Sequence, residues 1–221
     1  IQDWPGRVGY WDVGVPPSGP MDHLAFRLAN GVVGNSLGSP ALELTITGPT
    51  LRFNASAVIA LTGAAMQAKL DDDPIELWQP VAVRAGQTLR IGAIKGAGMR
   101  TYLAIRGGFQ VPPYMDSAAT FTLGQFGGHG GRMLRTGDVL HFAEPAADLA
   151  PCRAVPAAMV PNYGARWDIE VVYGPHGAPD FFTGEDIATF FATDWEVHYN
   201  SSRTGVRLLG PKPQWARSDG G

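Results

Sequence analysis

Apolar residues recur at three- and four-residue spacing over residues 21–33, a pattern that predicts an amphipathic helix. Pro20 precedes this segment and Gly34-Asn35 follows it, as expected at the start and the end of a helix. The helix should cover a sheet with its apolar face. We expect Leu28, in the middle of that face, to be buried.

Short apolar or alternating runs follow the helix, each bounded by Gly, Pro or Asp. Runs of this kind are typical of a barrel or a sandwich. The predicted strands cover residues 42–47, 58–61, 66–70, 81–84, 88–91, 101–106 and 139–142. Three carboxylates at residues 71–73 lie between two of these strands. We interpret them as a solvated hairpin turn, because they lack the spaced ligands of a calcium loop.

The composition changes to Ala and Pro over residues 144–161, as in a linker or an extended connector. We therefore predict a first unit over residues 1–143, this linker, and a second unit over residues 162–221. The second unit should hold a strand at 169–173, a helix near 185–192 with Thr183 as its N-cap, and strands at 195–199 and 206–209. Its strand pattern weakly resembles that of the first unit, but it has too few strands to close a barrel.

Composition favours a globular, mainly β protein. Of the 221 residues, 45% are hydrophobic and 17% are charged, which excludes a disordered chain and a coiled coil. The 29 glycines and 18 prolines are spread along the chain, as in proteins whose short strands are joined by tight turns. Because the sequence begins at Ile1 without a Met or a signal-like segment, we expect it to be a piece of a longer protein.

Charge and cysteine content narrow the function classes. The formal net charge is −3 and no two Lys or Arg residues are adjacent, so we expect neither a nucleic-acid nor a membrane partner. The single cysteine, Cys152, excludes an internal disulfide framework and a multi-cysteine metal site. No apolar run approaches the ~18 residues that a membrane span needs. These features favour a cytoplasmic protein.

A glycine-rich loop over residues 124–132 is the most unusual segment. It places His129 and Arg132 among five glycines, where the backbone can approach a ligand closely. The loop could hold a carboxylate or a ureido oxygen. Alternatively, its glycines serve only the turns of a barrel rim, and Arg132 pairs with a local acid.

Two further loops are candidates. Residues 14–22 form a rigid loop that ends at the predicted helix, whose N-terminus favours anionic groups. Asp22 in this loop is equally explained as the helix cap. The other candidate loop spans residues 200–205. The five histidines show no metal-binding spacing, and no nucleophile elbow, Walker loop or dinucleotide fingerprint is present, so we expect no metal site.

Several separated motifs resemble the carboxyltransferase domain of urea carboxylase, in the KipA-like family that is also labelled allophanate hydrolase subunit 2. The motifs lie at residues 2–7, 14–22, 26–30, 43–49, 124–132 and 202–208. The resemblance covers essentially the whole chain. The run Pro-Pro-Ser-Gly-Pro-Met-Asp at residues 16–22, together with residues 3–7 and 174–182, is closer to the urea carboxylase branch than to the 5-oxoprolinase branch.

The resemblance implies a mainly β fold: a cyclophilin-like β-barrel with a short covering helix, plus the start of a second similar unit. It implies transfer of a carboxyl group from N-carboxybiotin to urea, which gives allophanate. The implied partners are a KipI-like half, a biotin carboxylase domain and a separate domain that carries biotin. ATP and magnesium would act only in the biotin carboxylase domain.

Such a reaction needs a base for the acceptor nitrogen and donors that stabilise charge on a ureido oxygen. The expected catalytic residues are His129 and Arg203. The expected substrate-binding residues are Ser18, Asp22, Gln125, Arg132 and Asn200. Family members lead us to expect that further substrate contacts lie beyond residue 221. The alternatives are a subunit of 5-oxoprolinase and a non-catalytic regulatory module that binds a KipI-like partner, and guanidine could replace urea as the acceptor.

Overall fold

The computed structural model describes residues 1–201 and 205–219. The chain divides into two compact units, Ile1–Arg166 and Trp167–Gly221. The first unit consists mainly of antiparallel β structure with one covering α-helix. This architecture confirms the predicted fold class.

The first unit contains one α-helix and ten strands within the described residues. Helix α1 spans His23–Val32. The strands are β1 (Leu42–Thr45), β2 (Thr50–Arg52), β3 (Ala57–Gly63), β4 (Met66–Leu70), β5 (Asp73–Ile75), β6 (Val81–Val83), β7 (Thr88–Ile94), β8 (Arg100–Ile105), β9 (Phe109–Gln110) and β10 (His141–Phe142). Strands β2, β5 and β9 were not predicted.

Two four-stranded antiparallel sheets form the body of this unit. Their strand orders are β1-β8-β3-β6 and β2-β7-β4-β5, and β9 pairs with β10 separately. The chain that follows β1 continues along β7, where the Ile94 amide donates to the Ile46 carbonyl at 2.8 Å and the Gly48 amide donates to the Gly92 carbonyl at 3.0 Å. These bonds join the two sheets at one corner.

Alternation along β3 and β8 divides the interior into two cores. Ile59 and Leu103 are buried in the core that also contains apolar residues of the second sheet. Ala60 and Tyr102, one residue away on each strand, are buried against α1. Because successive strand residues face opposite sides, the central sheet buries both of its faces.

Helix α1 confirms the prediction over residues 21–33, but its buried face differs from the predicted one. Leu28 is only half-buried, so the prediction that it is buried is wrong. The buried face instead carries Ala25, Phe26 and Ala29. The two alanines allow the helix to approach the sheet closely, and the Phe26 ring fills the space beside Tyr102, with ring centroids 5.6 Å apart.

The carboxylates between β4 and β5 form the predicted hairpin turn. Asp71 adopts a positive φ of 54°, and its carboxylate accepts hydrogen bonds from the Thr88 amide at 2.9 Å and the Gln87 side chain at 3.0 Å. These bonds lower the pKa of Asp71 below its usual value. The group stabilises the turn and the neighbouring strand.

The second unit contains helix α2 (Gly184–Ala192) and strands β11 (Glu196–Val197) and β12 (Leu208–Leu209) among its described residues. Thr183 forms a capping box with Asp186, which confirms the predicted helix and its N-cap. The strand predicted at residues 169–173 is wrong. That segment is exposed and pairs with no strand of the described chain, and an unpaired apolar run has no ladder to join.

The predicted linker, residues 144–161, is hydrogen-bonded to the first unit. The Arg106 guanidinium donates to the Ala150 carbonyl at 2.8 Å, and the Val155 amide donates to the Trp78 carbonyl at 2.8 Å. Its Ala and Pro residues therefore lie along the surface of the first unit. The boundaries at residues 143 and 162 remain predictions.

Candidate functional site

Two of the family motifs lie directly against each other in the first unit. The Arg7 amide donates to the Pro17 carbonyl at 2.6 Å. A Cβ atom on Gly19 would lie 3.1 Å from the Pro5 carbonyl oxygen, and one on Gly6 would collide with the Pro17 oxygen. Both glycines have positive φ, so the contact requires residues without side chains.

The same N-terminal segment holds the chain that leads into the glycine-rich loop. The Asp3 carboxylate accepts hydrogen bonds from the Ser117 hydroxyl at 2.6 Å and the Ala118 amide at 2.7 Å. The Thr120 amide donates to the Ile1 carbonyl at 2.9 Å. The beginning of the chain therefore fixes the position of residues 117–120.

Arg7 is the central side chain of this cluster and is completely buried. Its Nε donates to the Tyr114 carbonyl at 3.0 Å and its Nη2 to the Ala119 carbonyl at 2.9 Å. The guanidinium carbon lies 4.9 Å from the centroid of the Phe126 ring, which places the cation over an aromatic face. Burial lowers the pKa of Arg7, and the negative charge of Asp3 opposes this effect.

The glycine-rich loop packs onto the residues that Arg7 and Asp3 hold. A Cβ atom on Gly127 would collide with the Ala119 carbonyl oxygen and lie 2.8 Å from the Arg7 Nη2 atom. One on Gly128 would collide with the Thr120 hydroxyl. The glycines are thus needed for close packing, whatever else the loop does.

A cleft of about 360 Å³ lies between this loop and the chain that precedes residue 117. Its lining consists of Pro112, Pro113, Tyr114, Gln125, Phe126, Gly127, Gly128, Gly130 and Gly131. The walls are prolines, aromatic rings and glycine backbone, and the cleft lies beside the buried Arg7. Gln125, predicted to bind substrate, is exposed at this cleft in a left-handed conformation with φ of 57°.

His129 and Arg132 meet at a carboxylate that the sequence analysis did not identify. Arg132 donates from Nη1 and Nη2 to the two oxygens of Asp138, each at 2.8 Å. The His129 Nε2 atom lies 3.6 Å from Asp138 Oδ1, an ion-pair distance rather than a hydrogen bond. The bonds from Arg132 and the Arg135 amide hold the pKa of Asp138 well below its usual range. Arg132 is therefore paired with a local acid, the alternative considered from the sequence.

Asp22 caps helix α1, and hydrogen bonds engage both of its carboxylate oxygens. Oδ1 accepts from the Ala25 amide at 2.9 Å and Oδ2 from the Tyr163 hydroxyl at 2.7 Å. Burial and this bond to Asp22 raise the pKa of Tyr163. Ser18 is half-buried in the same loop with φ of 59°. Their roles in substrate binding remain predictions.

A second buried carboxylate supports this loop from the sheet. Glu43 of β1 accepts hydrogen bonds from the Met21 amide at 2.7 Å and the Tyr102 hydroxyl at 3.0 Å. Its other oxygen lies 3.7 Å from Arg100 Nε. Burial, together with the charge of Glu43, raises the pKa of Tyr102. The network joins the start of α1 to two strands.

The remaining predicted site residues belong to the second unit. Asn200 is exposed, and its amide donates to His198 Nδ1 at 3.0 Å. Arg203 lies outside the described residues. This unit has a cavity of about 460 Å³, lined mainly by apolar and aromatic side chains, and none of the predicted site residues that the structure describes lines it. We take the smaller cleft of the first unit as the candidate site because Gln125 and several glycines of the 124–132 motif line it. His129 and Arg132 belong to the same loop but are not among the lining residues.

The described residues hold neither a metal-binding cluster nor a membrane-spanning helix. No group of three or more His, Cys, Asp and Glu side chains in residues 1–201 and 205–219 is arranged to hold a metal ion. In the same part of the chain, no helix has the length and apolar character needed to cross a bilayer.

Sequence reasoning missed Arg7, Tyr114, Phe126 and Asp138. Arg7 belongs to a recognised motif, but nothing local distinguishes a buried arginine from an exposed one. Asp138 follows Arg132 by six residues, within reach across a turn, and that spacing was the available signal. The aromatic residues gave no signal, since their contacts depend on chain segments distant in sequence.

The curated proteins similar to this chain are longer than it. The chain is 51% identical over 227 residues to urea amidolyase of Saccharomyces cerevisiae, and the match covers all of this chain and 12% of that protein. It is 35% identical over 210 residues to a 5-oxoprolinase subunit of Escherichia coli, and this match covers 95% of this chain and 65% of that protein.

The structural comparison agrees with these sequence matches. The crystal structure of the K. lactis urea amidolyase superimposes with a TM-score of 0.91 at 48% identity, covering 100% of this chain and 14% of that one. The family model described as carboxyltransferase domain, subdomain A and B, matches residues 13–220. The chain therefore belongs to the carboxyltransferase domain family, subdomains A and B.

Proposed function

We propose that this chain is part of the carboxyltransferase component of a biotin-dependent urea carboxylase. The complete protein transfers a carboxyl group from N-carboxybiotin to a nitrogen of urea and releases allophanate. The observation that carries the proposal is the packing of three motifs against one another: residues 2–7 contact 14–22 and support the 124–132 loop, and part of that loop lines the cleft. The whole-chain similarity to urea amidolyase supports it.

The chemistry requires two kinds of group on the protein. One is a base that accepts a proton from the urea nitrogen as the new C–N bond forms, and the other is a set of donors for the negative charge on a ureido oxygen. His129 is our candidate base. Its Nε2 faces Asp138, and no hydrogen bond within the described residues engages its Nδ1.

Gln125 and Arg132 are the candidate donors in the first unit. Gln125 is exposed and lines the cleft, so a substrate can bind its side-chain amide without displacing a buried partner. Arg132 is half-exposed and paired with Asp138, which orients its planar guanidinium. Arg203, Asn200, Ser18 and Asp22 remain proposed on the resemblance alone.

The residues at the cleft fit a ureido ring with an attached carboxylate. The buried Nη1 atom of Arg7 has no hydrogen-bond partner among the described residues. The same guanidinium adjoins the Phe126 ring and the Tyr114 carbonyl, which belong to two lining residues of the cleft. The flat walls suit a planar group, and the arginine suits its negative charge. When bound, N-carboxybiotin supplies the activated carboxyl group.

The partners follow from the same proposal. The chain spans about an eighth of the yeast relative, so most of the complete machinery lies in other domains. We propose a KipI-like half, a biotin carboxylase that uses ATP and magnesium, and a biotin carrier domain. A cytoplasmic location is proposed on the single cysteine.

The test uses the complete protein and separates its two half-reactions. His129→Gln should lower urea-dependent turnover by about 10²-fold or more, while biotin-dependent ATP cleavage persists, because glutamine cannot act as a base near neutral pH. His141→Gln, the same substitution at an exposed position of β10, is the matched control and should change neither activity.

Two results would contradict the proposal. If the purified complete protein formed no carboxylated product from urea with ATP, bicarbonate and biotin present, the assigned reaction would be wrong. If His129→Gln reduced both half-reactions in parallel with thermal stability, or neither, the residue would support the loop rather than act as a base.

The two alternative functions predict different activities for the same purified protein. A 5-oxoprolinase subunit would support ATP-dependent opening of 5-oxoproline without biotin, and a regulatory module would bind a KipI-like partner without turnover. The lower identity to the 5-oxoprolinase relative favours the urea reaction. Guanidine is tested as a competing acceptor in the same assay.

A further inference from the structure

Arg7 is a buried cation without an ion-pair partner. No carboxylate of the described residues lies within ion-pair distance of its guanidinium. Asp3 acts on Arg7 only through space, since the two Asp3 oxygens accept from Ser117 and Ala118. The Arg7 side chain donates to two neutral carbonyl groups, and its Nη1 atom has no acceptor in the described chain.

Such a charge is costly to bury unless something compensates it. A buried guanidinium normally pairs with a carboxylate or another anion, because desolvation opposes an isolated charge. Burial accordingly lowers the pKa of Arg7. Asp3 opposes this effect through space without forming an ion pair, so the Arg7 charge is only partly compensated and a nearby anion would stabilise it.

Three residues that adjoin the Arg7 guanidinium also line the cleft. Tyr114, whose carbonyl accepts from Arg7, forms one wall, and Phe126, whose ring lies under the guanidinium, forms the other. Gly127 contributes backbone beside the Arg7 Nη2 atom. Arg132, the arginine of the glycine-rich loop, already donates two bonds to Asp138.

We propose that the cleft lined by residues 112–114 and 125–131 is a binding site for a small carboxylate, with Arg7 as the cation that attracts it. A single, partly compensated positive charge matches a monoanion, whereas a phosphate dianion would require a second cation. The proline and aromatic walls fit a planar carboxylate better than a tetrahedral group. The inference rests on the proposed function and deepens it, because the group to be transferred is itself a carboxylate.

The experiment measures binding in the 221-residue chain, with no turnover involved. Acetate is titrated at constant ionic strength while two-dimensional NMR follows the backbone amides of Gly127, Gly128 and Gly130. Saturable shifts at these amides are expected. Acetamide, which has the same shape without the charge, should bind at least about tenfold more weakly, since bonds between charged groups are stronger than neutral ones.

Three variants locate the site. Gln125→Glu places a negative charge at the mouth of the cleft and should weaken acetate binding about five- to tenfold at low salt. Because Gln125 is exposed, this variant tests the site without disturbing a buried group. Arg7→Lys keeps the charge but loses the planar geometry, and it should also weaken binding. Arg84→Met removes an exposed arginine after β6 and should leave binding unchanged.

Equal binding of acetate and acetamide would overturn the proposal, as would acetate binding that Gln125→Glu leaves intact. Loss of binding in Arg84→Met to the same extent as in Gln125→Glu would also overturn it, since that would indicate a general charge effect. If acetate binds as expected but the complete protein transfers no carboxyl group to urea, the carboxylate site stands and the proposed reaction falls.

Discussion

Phe26→Ala tests the packing of helix α1 on the central sheet. The Phe26 side chain is fully buried among Ala60, Tyr102 and Ala104 of the sheet. Removing a buried phenyl ring costs about 3–5 kcal/mol. The edge-to-face contact with Tyr102 adds ~0.5–1.5 kcal/mol beyond area burial, so the loss should fall in the upper half of that range.

Leu28→Ala is the matched control in the same helix. Leu28 is only half-buried, so the loss of stability should be about 1 kcal/mol. The measurement is guanidinium chloride unfolding followed by circular dichroism, with the two free energies compared at unchanged slope. Equal losses for the two variants, or a larger loss for Leu28→Ala, would refute the assigned helix face.

Three other predictions follow from individual contacts. Gly127→Ala should lower the free energy of unfolding of the first unit by about 1–3 kcal/mol more than Gly86→Ala does, because only the Cβ added at residue 127 collides with neighbouring backbone. Equal losses would show that the loop relaxes freely. Asp138→Asn should destabilise the protein at pH 7. Arg132 lowers the pKa of Asp138, so the carboxylate stabilises the folded protein above the unfolded-state pKa of about 3.9, and this stabilisation is lost as the pH falls toward the folded-state pKa. A difference in unfolding free energy between the two proteins that stays constant from pH 7 to pH 2 would contradict this. Thr183→Ala should remove the capping box and cost about 1 kcal/mol in the second unit, measured by urea unfolding, whereas Thr183→Ser should cost far less; equal costs would mean that the hydroxyl does not cap the helix.

Comparison of α1 and α2 shows what local sequence can predict. Both helices lie where apolar spacing and flanking residues predicted them, and Thr183 caps α2 as expected. These features depend on residues within one or two turns of each other, so the sequence of a short segment contains the needed information. The hairpin at Asp71 is predictable for the same reason.

The wrong prediction of a strand at residues 169–173 shows the limit of reasoning from local sequence. Its apolar residues fit a strand, but a strand also needs a neighbour that accepts and donates the ladder bonds. No described strand pairs with this segment. The pattern of one segment does not contain the position of its partner.

The sequence by itself determined the mainly β class, the helices, most strands and the motifs that indicate the family. Only the tertiary structure decided which residues meet at the cleft. Arg7 donates to a carbonyl 107 residues away, and Gly127 packs against the group that Arg7 holds. Burial, charge compensation and close approach are properties of contacts between distant segments. Only the folded structure therefore shows that Arg7 is a buried cation beside a cleft.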